Sequence, residues 1–170
     1  HLILASELTA LGMYAGNISA LGLNITAIGT LPMLDFSLKI GSTTATSLTS
    51  FVTTPLTQVY TNASYLPVTG VNMMNFTAPF YWDGVSNLVI EICHGNPAST
   101  ATMSRTCQVD NTTFISSIHT HKTVATAGTA QCSDNTTNLL TYSLRPRFYF
   151  TAALATSNFV WNDGASNIGS

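Results

Sequence analysis

The sequence predicts an all-β fold, an antiparallel β-sandwich of jelly-roll type with one short helical turn near the N-terminus. Apolar and polar residues alternate along several segments, which is typical of strands with one buried face. Turn-forming residues recur about every eight to twelve residues, the spacing of sandwiches rather than of βαβ units. Only 7% of the 170 residues are charged, and Thr and Ser together make up about a quarter of the chain.

A single short helix is predicted near the N-terminus. Ser6 is the expected N-cap of a helix over residues 7–11, because a Ser side chain accepts a hydrogen bond from the first-turn backbone amides. Glu7 lies in that first turn, where a carboxylate interacts favourably with the helix dipole. Gly12 is expected to end the helix after one or two turns.

Two strands are predicted most clearly. Residues 34–40 alternate strictly between apolar and polar side chains, and Gly41 is expected to end this strand. Residues 88–93 are apolar on both faces except at Glu91, which predicts a central strand. The Asp83-Gly84 turn precedes that strand and Gly95-Asn96-Pro97 follows it. Further strands are predicted over residues 18–28, 57–61, 71–78, 112–120, 122–126 and 147–154.

One domain with a distinct tail is expected. We expect a β-sandwich module over residues 1–156 and a C-terminal strand and tail over residues 157–170. Because a tail rich in Gly, Asn and Ser frays unless something holds it, its apolar residues Phe159, Val160 and Trp161 are predicted to contact a neighbouring domain or subunit. The chain begins without methionine, so we expect a processed chain or a piece of a longer one.

Charge and composition exclude several function classes. Five Lys and Arg residues and a net charge of −2 are too few for the basic face that nucleic acid or an anionic membrane requires. No apolar run approaches the ~18 residues of a spanning helix. Among the acidic residues only Glu91 falls on a predicted central strand, and a lone carboxylate makes no acid–base pair. Without a nucleophile elbow, phosphate loop or zinc-protease motif, we expect neither an enzyme nor a cofactor.

Four segments resemble a known family. Residues 5–12 and 16–25, the Pro-Phe-Tyr-Trp-Asp-Gly segment within 75–93, and residues 144–150 are similar to a β-sandwich module repeated in large secreted and surface proteins of Bacteroidetes exported by the type IX pathway. The resemblance spans about residues 2–151. Two departures are the missing segment before the first residue and the span 94–131. The resemblance implies an extracellular accessory or adhesive module and no particular ligand.

The three cysteines are an odd set, so a disulfide would leave one thiol over. Any two of Cys93, Cys107 and Cys132 can pair as far as the sequence alone shows. The family resemblance favours Cys93 with Cys132, which closes a loop of about 40 residues and stabilises by roughly 3–4 kcal/mol. Cys107 is then expected to be buried and inert, or bonded to another chain.

A weak metal-site pattern involves the histidines. His119 and His121 lie two apart, which on a strand places both rings on one face, within reach of one Zn²⁺ or Cu²⁺ ion. His94, Asp110 or Asp134 would have to supply a third ligand. The favoured interpretation is a solvent-facing strand in which histidine replaces threonine, so we predict no metal site.

Aromatic residues raise a carbohydrate-binding alternative, because flat aromatic rings stack on sugars. Trp82 would be its centre, and the platform would be completed by Tyr60, Tyr65, Tyr81 and Trp161. The favoured interpretation is that Trp82 fills the end of the sandwich while Asp83 caps its own turn.

These observations predict a non-catalytic structural or adhesive module of a bacterial surface adhesin or filament. Its partners would be copies of itself or adjacent modules of the same protein, because sheet edges are normally protected by charges that this chain lacks. The missing first segment would leave an open edge, which the strand around residues 159–161 of the next subunit fills. The alternative is a carbohydrate-binding accessory domain of a secreted enzyme, with surface glycans as the partner.

Overall fold

A computed structural model describes residues 1–95, 105–120, 139–152, 161–162 and 167–168. One helix, α1 (Ala5–Ala10), lies among short and long strands. The strands are β1 (Leu2–Ile3), β2 (Gly16–Ala27), β3 (Met33–Thr43), β4 (Thr57–Tyr65), β5 (Gly70–Trp82), β6 (Asn87–Gly95), β7 (Thr106–Cys107), β8 (Val109–Asn111), β9 (Ser117–His119), β10 (Leu140–Tyr142), β11 (Leu144–Pro146), β12 (Phe148–Ala152), β13 (Trp161–Asn162) and β14 (Asn167–Ile168).

The longer strands form two antiparallel sheets. Sheet A has the order β1-β6-β3-β4, and sheet B has the order β12-β2-β5, with β7 also pairing with β2. Three two-stranded ribbons accompany them, namely β9 with β10, β8 with β11, and β13 with β14. Within the described part of the chain, no helix has the length and hydropathy of a membrane span.

A single apolar core lies between the two sheets, which confirms the predicted all-β sandwich. Its residues come from α1 and from both sheets, so the sheets pack face to face rather than side by side. The largest fully buried members are Trp82, Phe36, Leu8, Ile18, Leu21, Leu38, Ile40, Met74, Leu88, Ile90 and Val59.

The alternation predicted for residues 34–40 is confirmed, because Phe36, Leu38 and Ile40 all belong to this core. The predicted end at Gly41 is wrong, since β3 continues to Thr43. A Cβ atom at Gly41 would lie 2.7 Å from the Leu56 side chain and 2.9 Å from the Pro55 carbonyl oxygen. Gly41 is therefore needed for close packing of a loop on the sheet rather than for a turn.

The outer face of sheet A is also covered. A second apolar cluster contains Leu2, Leu48, Val89 and Ile118, with Phe51, Val52, Leu56, Phe114 and Ile115 packed against it. These residues come from β1, β6, β9 and the loops before β4 and β9, so the loops form a layer over the sheet.

Strand β6 is central in sheet A, as predicted, with β1 on one side and β3 on the other. Its described residues reach Gly95, and the expected turn residues Asn96 and Pro97 lie outside the described part of the chain. Glu91 lies opposite Lys39 on β3, and the Lys39 ammonium is 2.7 Å from the Glu91 carboxylate. The one charged residue of this strand is thus neutralised by its cross-strand neighbour.

Helix α1 begins two residues earlier than predicted. Its N-cap is Leu4, not Ser6, and the Leu4 backbone N–H donates to the Glu7 carboxylate over 2.8 Å. The Glu7 carboxylate thus accepts from the N-cap backbone N–H three residues before it, as the acidic residue of a capping box does. Gly12 follows the helix with a φ of 82°, as expected for a C-terminal stop.

The remaining strand predictions hold in part. Strands β4 and β5 extend beyond 57–61 and 71–78, while β12 lies within the predicted 147–154. The segment 112–120 is a strand only from Ser117 to His119, because the Thr112 hydroxyl bonds to the Phe114 carbonyl (2.6 Å) and turns the chain. The predicted strand 122–126 lies outside the described residues.

Candidate functional site

Trp82 fills one end of the sandwich core. It is 0% exposed, and its indole N–H donates to the Ser86 carbonyl over 2.7 Å. The Asp83 carboxylate accepts from the backbone N–H groups of Val85 (2.9 Å) and Ser86 (2.7 Å). The prediction that Asp83 caps its own turn is therefore confirmed. A sugar cannot stack on the buried indole face, so the carbohydrate role considered for Trp82 is wrong.

Hydrogen bonding lowers the pKa of Asp83 below its ordinary value of 3.8. The Ser86 hydroxyl contributes most, followed by the Ser86 and Val85 backbone amides, which all stabilise the carboxylate form. A lowered carboxyl pKa stabilises the fold above the ordinary pKa, and this stabilisation is lost as the pH falls through the folded-state pKa.

Replacing Ser86 by alanine is expected to raise the Asp83 pKa towards 3.8, because the largest contribution is removed. The Asp83 carboxyl carbon, followed by NMR during acid titration, reports this directly. The fall in stability between pH 5 and pH 2, measured in urea, should also become smaller in Ser86→Ala. An unchanged Asp83 titration would contradict the assignment of the hydroxyl.

The other predicted platform residues separate into different places. Tyr60 and Tyr65 are half-buried beside Phe36, with ring centroids 6.1 Å and 4.6 Å from the Phe36 ring. Their own rings meet at 77°, so they form no flat surface together. Tyr81 is exposed near the C-terminal end of β5. The Trp161 side chain lies outside the described residues. The four aromatic residues whose side chains are described thus do not form one platform.

Burial raises the pKa of the Tyr65 phenol, and the neighbouring Tyr60 adds to the effect. The Tyr60 hydroxyl in turn accepts a hydrogen bond from the Asn62 side-chain amide over 3.3 Å. This small aromatic cluster places both phenol rings at the border of the core.

His119 is exposed at the end of β9 and lies opposite Leu140. Its ring stacks on the Tyr142 ring, with centroids 5.1 Å apart and planes at 10°. This environment agrees with the interpretation of a solvent-facing strand.

The remaining metal-site candidates give no assembled site within the described residues. Asp110 forms an ion pair with Arg147 over 2.7 Å, and His94 lies exposed on β6. In the described part of the chain, no three His, Cys, Asp or Glu side chains lie close enough together to hold one metal ion. His121 and Asp134 lie outside it, so their participation stays untested.

Two of the three cysteines can be placed. Cys93 on β6 is disulfide-bonded, and Cys107 on β7 is a half-buried free thiol. Burial raises the pKa of the Cys107 thiol, which keeps it protonated and weakly reactive. Cys132, the predicted partner of Cys93, lies outside the described residues, so that pairing stays a prediction.

A half-buried ion pair, which no local sequence pattern indicates, ties α1 to β11 near the C-terminal part of the chain. The Arg145 guanidinium is 2.8 Å from the Glu7 carboxylate and donates to the Leu2 carbonyl over 3.3 Å. Arg145 is buried, so it is not part of a basic surface. The contact fixes the helix against β11.

No family model, curated protein or solved structure matches this chain. The resemblance to the type IX modules therefore has no independent support.

The most unusual surface is the side of the sandwich formed by β4 and β5. Each is the last strand of its sheet. No charged side chain occurs over residues 40–82, which include both strands and the loops around them. Several of the exposed large apolar residues lie here, namely Leu66, Val68, Val71 and Met73. This surface is not among the predicted sites, although the long uncharged segment that forms it is visible in the sequence.

Proposed function

We propose that this chain is a non-catalytic, extracellular structural or adhesive module of a bacterial surface adhesin or filament. The observation that carries the proposal is the uncharged side of the sandwich formed by β4 and β5, with its two terminal strands. Soluble sheet proteins protect such edges with charges or cover them, whereas here residues 40–82 contain none. A surface of this kind favours contact with other protein.

The mode of assembly is strand addition between subunits. The strand around residues 159–161 of one subunit fills an open sheet edge of the next, through main-chain hydrogen bonds. In support, β13 pairs with β14 and with neither sheet of the sandwich among the described residues. A head-to-tail contact of this kind does not close on itself and so produces filaments.

Negative-stain images of the full chain test this function. We expect filaments from the full chain and short soluble particles after deletion of residues 157–170. Filaments that persist after the deletion would contradict the role of the tail. Isolated particles from the full chain would contradict the assembly function itself.

A carbohydrate-binding accessory domain is the second candidate. Tyr60 and Tyr65 each keep part of a ring exposed, so each ring can stack on a sugar separately, without a shared flat surface. Sugar binding on a glycan array that is lost in Tyr60→Ala/Tyr65→Ala would support this candidate. Tyr81→Ala is the control substitution, because Tyr81 is an exposed tyrosine near the C-terminal end of β5. An empty array would remove the candidate.

A further inference from the structure

The open edge of sheet B is confined to the first half of β5. Residues 70–75 pair with β2 in regular register, from Ile25 opposite Gly70 to Ala20 opposite Asn75. The next matched pair is Ile18 with Phe80, so residues 76–79 bulge away from β2. The Thr77 hydroxyl donates to the Val59 carbonyl of β4 over 3.2 Å. The bulge turns towards β4, and only residues 70–75 form a regularly paired strand at the edge of sheet B.

No strand pairs with the far side of this segment in the described part of the chain, since sheet B ends at β5. Two of its side chains project from the outer face of the sheet, Val71 at 48% exposure and Met73 at 41%. Met73 lies over Gly22, the β2 residue opposite it, and Tyr149 of β12 borders the same glycine. Apolar surface therefore continues from β12 across the sheet to its open edge.

The loop before β5 adds to this surface. Leu66 and Val68 are more than half exposed. The Asn72 side chain holds the loop in place, accepting from the Val68 N–H over 2.9 Å and donating to the Val68 carbonyl over 2.6 Å. The apolar residues next to the edge are thus held by a fixed loop.

We propose that two copies of this chain pair through residues 70–75 of β5, edge to edge and antiparallel. The resulting sheet would have six strands in the order β12-β2-β5-β5-β2-β12, a common size for a sheet. The contact is isologous, with the same surface on both subunits. It does not use the C-terminal strand, so it goes beyond the proposed function.

The absence of charge selects a second copy as the partner. In a two-fold pairing of one strand with itself, any ionic side chain near the axis meets its own like charge, which is destabilising. Residues 40–82 carry no such side chain. A strongly charged partner would find no complementary charge on this edge, whereas a second copy of the edge meets no like charge.

The pairing also specifies which side chains meet. Side chains alternate between the two faces of a strand, and a two-fold axis perpendicular to the sheet keeps the outer faces together. Val71, Met73 and Asn75 of both copies therefore lie on the same face of the joined sheet in every register. In the registers centred on residues 70–75, Met73 of one copy lies opposite Val71 or Met73 of the other, so lysines at both positions would place like charges opposite each other across the contact.

The test measures molar mass in solution by light scattering at micromolar concentration. It uses the chain without residues 157–170, because filaments built by the tail would mask a dimer and β13 and β14 pair with neither sheet among the described residues. We expect a dimer when the β5 edge is unaltered and a monomer for Val71→Lys/Met73→Lys. The matched control is Val85→Lys/Val109→Lys, because these two valines are 78% and 45% exposed and receive the same two charges away from the edge. This control should remain dimeric.

Mixing two oppositely charged variants provides a second test, because misfolded variants would not form heterodimers. Val71→Lys/Met73→Lys and Val71→Glu/Met73→Glu should each be monomeric, and an equimolar mixture should form heterodimers. A monomer with the β5 edge unaltered, dimeric lysine variants or a mixture that stays monomeric would overturn the proposal. Filaments built by the C-terminal strand should persist in the lysine variant of the full chain. Loss of filaments on tail deletion with an intact dimer would separate the two contacts.

Discussion

Trp82→Ala is expected to lower the free energy of unfolding by about 3–5 kcal/mol, the range for removing a large buried aromatic side chain. Trp82 is fully buried and belongs to the core that both sheets share. Alanine would leave a cavity at the end of that core, and the Ser86 carbonyl would lose the indole N–H that it accepts. Urea unfolding of both proteins measures the difference.

Two further variants separate the causes. Trp82→Phe keeps an aromatic ring but removes the N–H donor, so it should cost less than alanine, about 1–3 kcal/mol for an acceptor left unsatisfied. Tyr81→Ala removes the neighbouring ring, which is 65% exposed, and should change stability by no more than about 0.5 kcal/mol. Equal losses for Trp82→Ala and Tyr81→Ala would contradict the structural role of Trp82.

Strands buried on one face could be predicted from the sequence, because their periodicity is imposed by the core itself. Residues 34–40 alternate, and Phe36, Leu38 and Ile40 face the core as expected. The neighbours of Gly41 could not be predicted, since Pro55 and Leu56 reach it through a loop with no periodic pattern. Helix capping failed for a related reason. The sequence favoured a polar N-cap at Ser6, but the Glu7 side chain satisfies the backbone of Leu4 instead.

Local chemistry at the candidate site was predictable, while long-range chemistry was not. The Asp83 turn is contained within four residues, so its hydrogen bonds follow from the sequence. The ion pair between Glu7 and Arg145 joins residues 138 positions apart, and only the fold brings them together. The edge of β5 lies between these cases. Its lack of charge is visible in the sequence, but its position at the end of a sheet is not.

Gly41→Val is the second substitution with a large expected effect, a loss of about 3 kcal/mol, at the upper end of the range for overpacking. The new Cβ alone would lie 2.9 Å from the Pro55 carbonyl oxygen and 2.7 Å from the Leu56 side chain. Backbone cannot move aside as easily as a flexible side chain, so the loop over sheet A must lift. Urea unfolding and the amide signals of the loop measure both consequences.

Ser42→Val is the matched control, since Ser42 is exposed on the same strand and receives the same β-branched side chain. Its stability should change by no more than about 0.5 kcal/mol. Leu56→Ala in the Gly41→Val background removes one of the two clashes and should recover part of the loss, a coupling that a double-mutant cycle measures. Independent, additive effects of the two substitutions would show that the loop does not rest on Gly41. The Pro55 clash is present in Gly41→Val with either leucine or alanine at position 56. A coupled recovery therefore comes from the contact between position 41 and the Leu56 side chain.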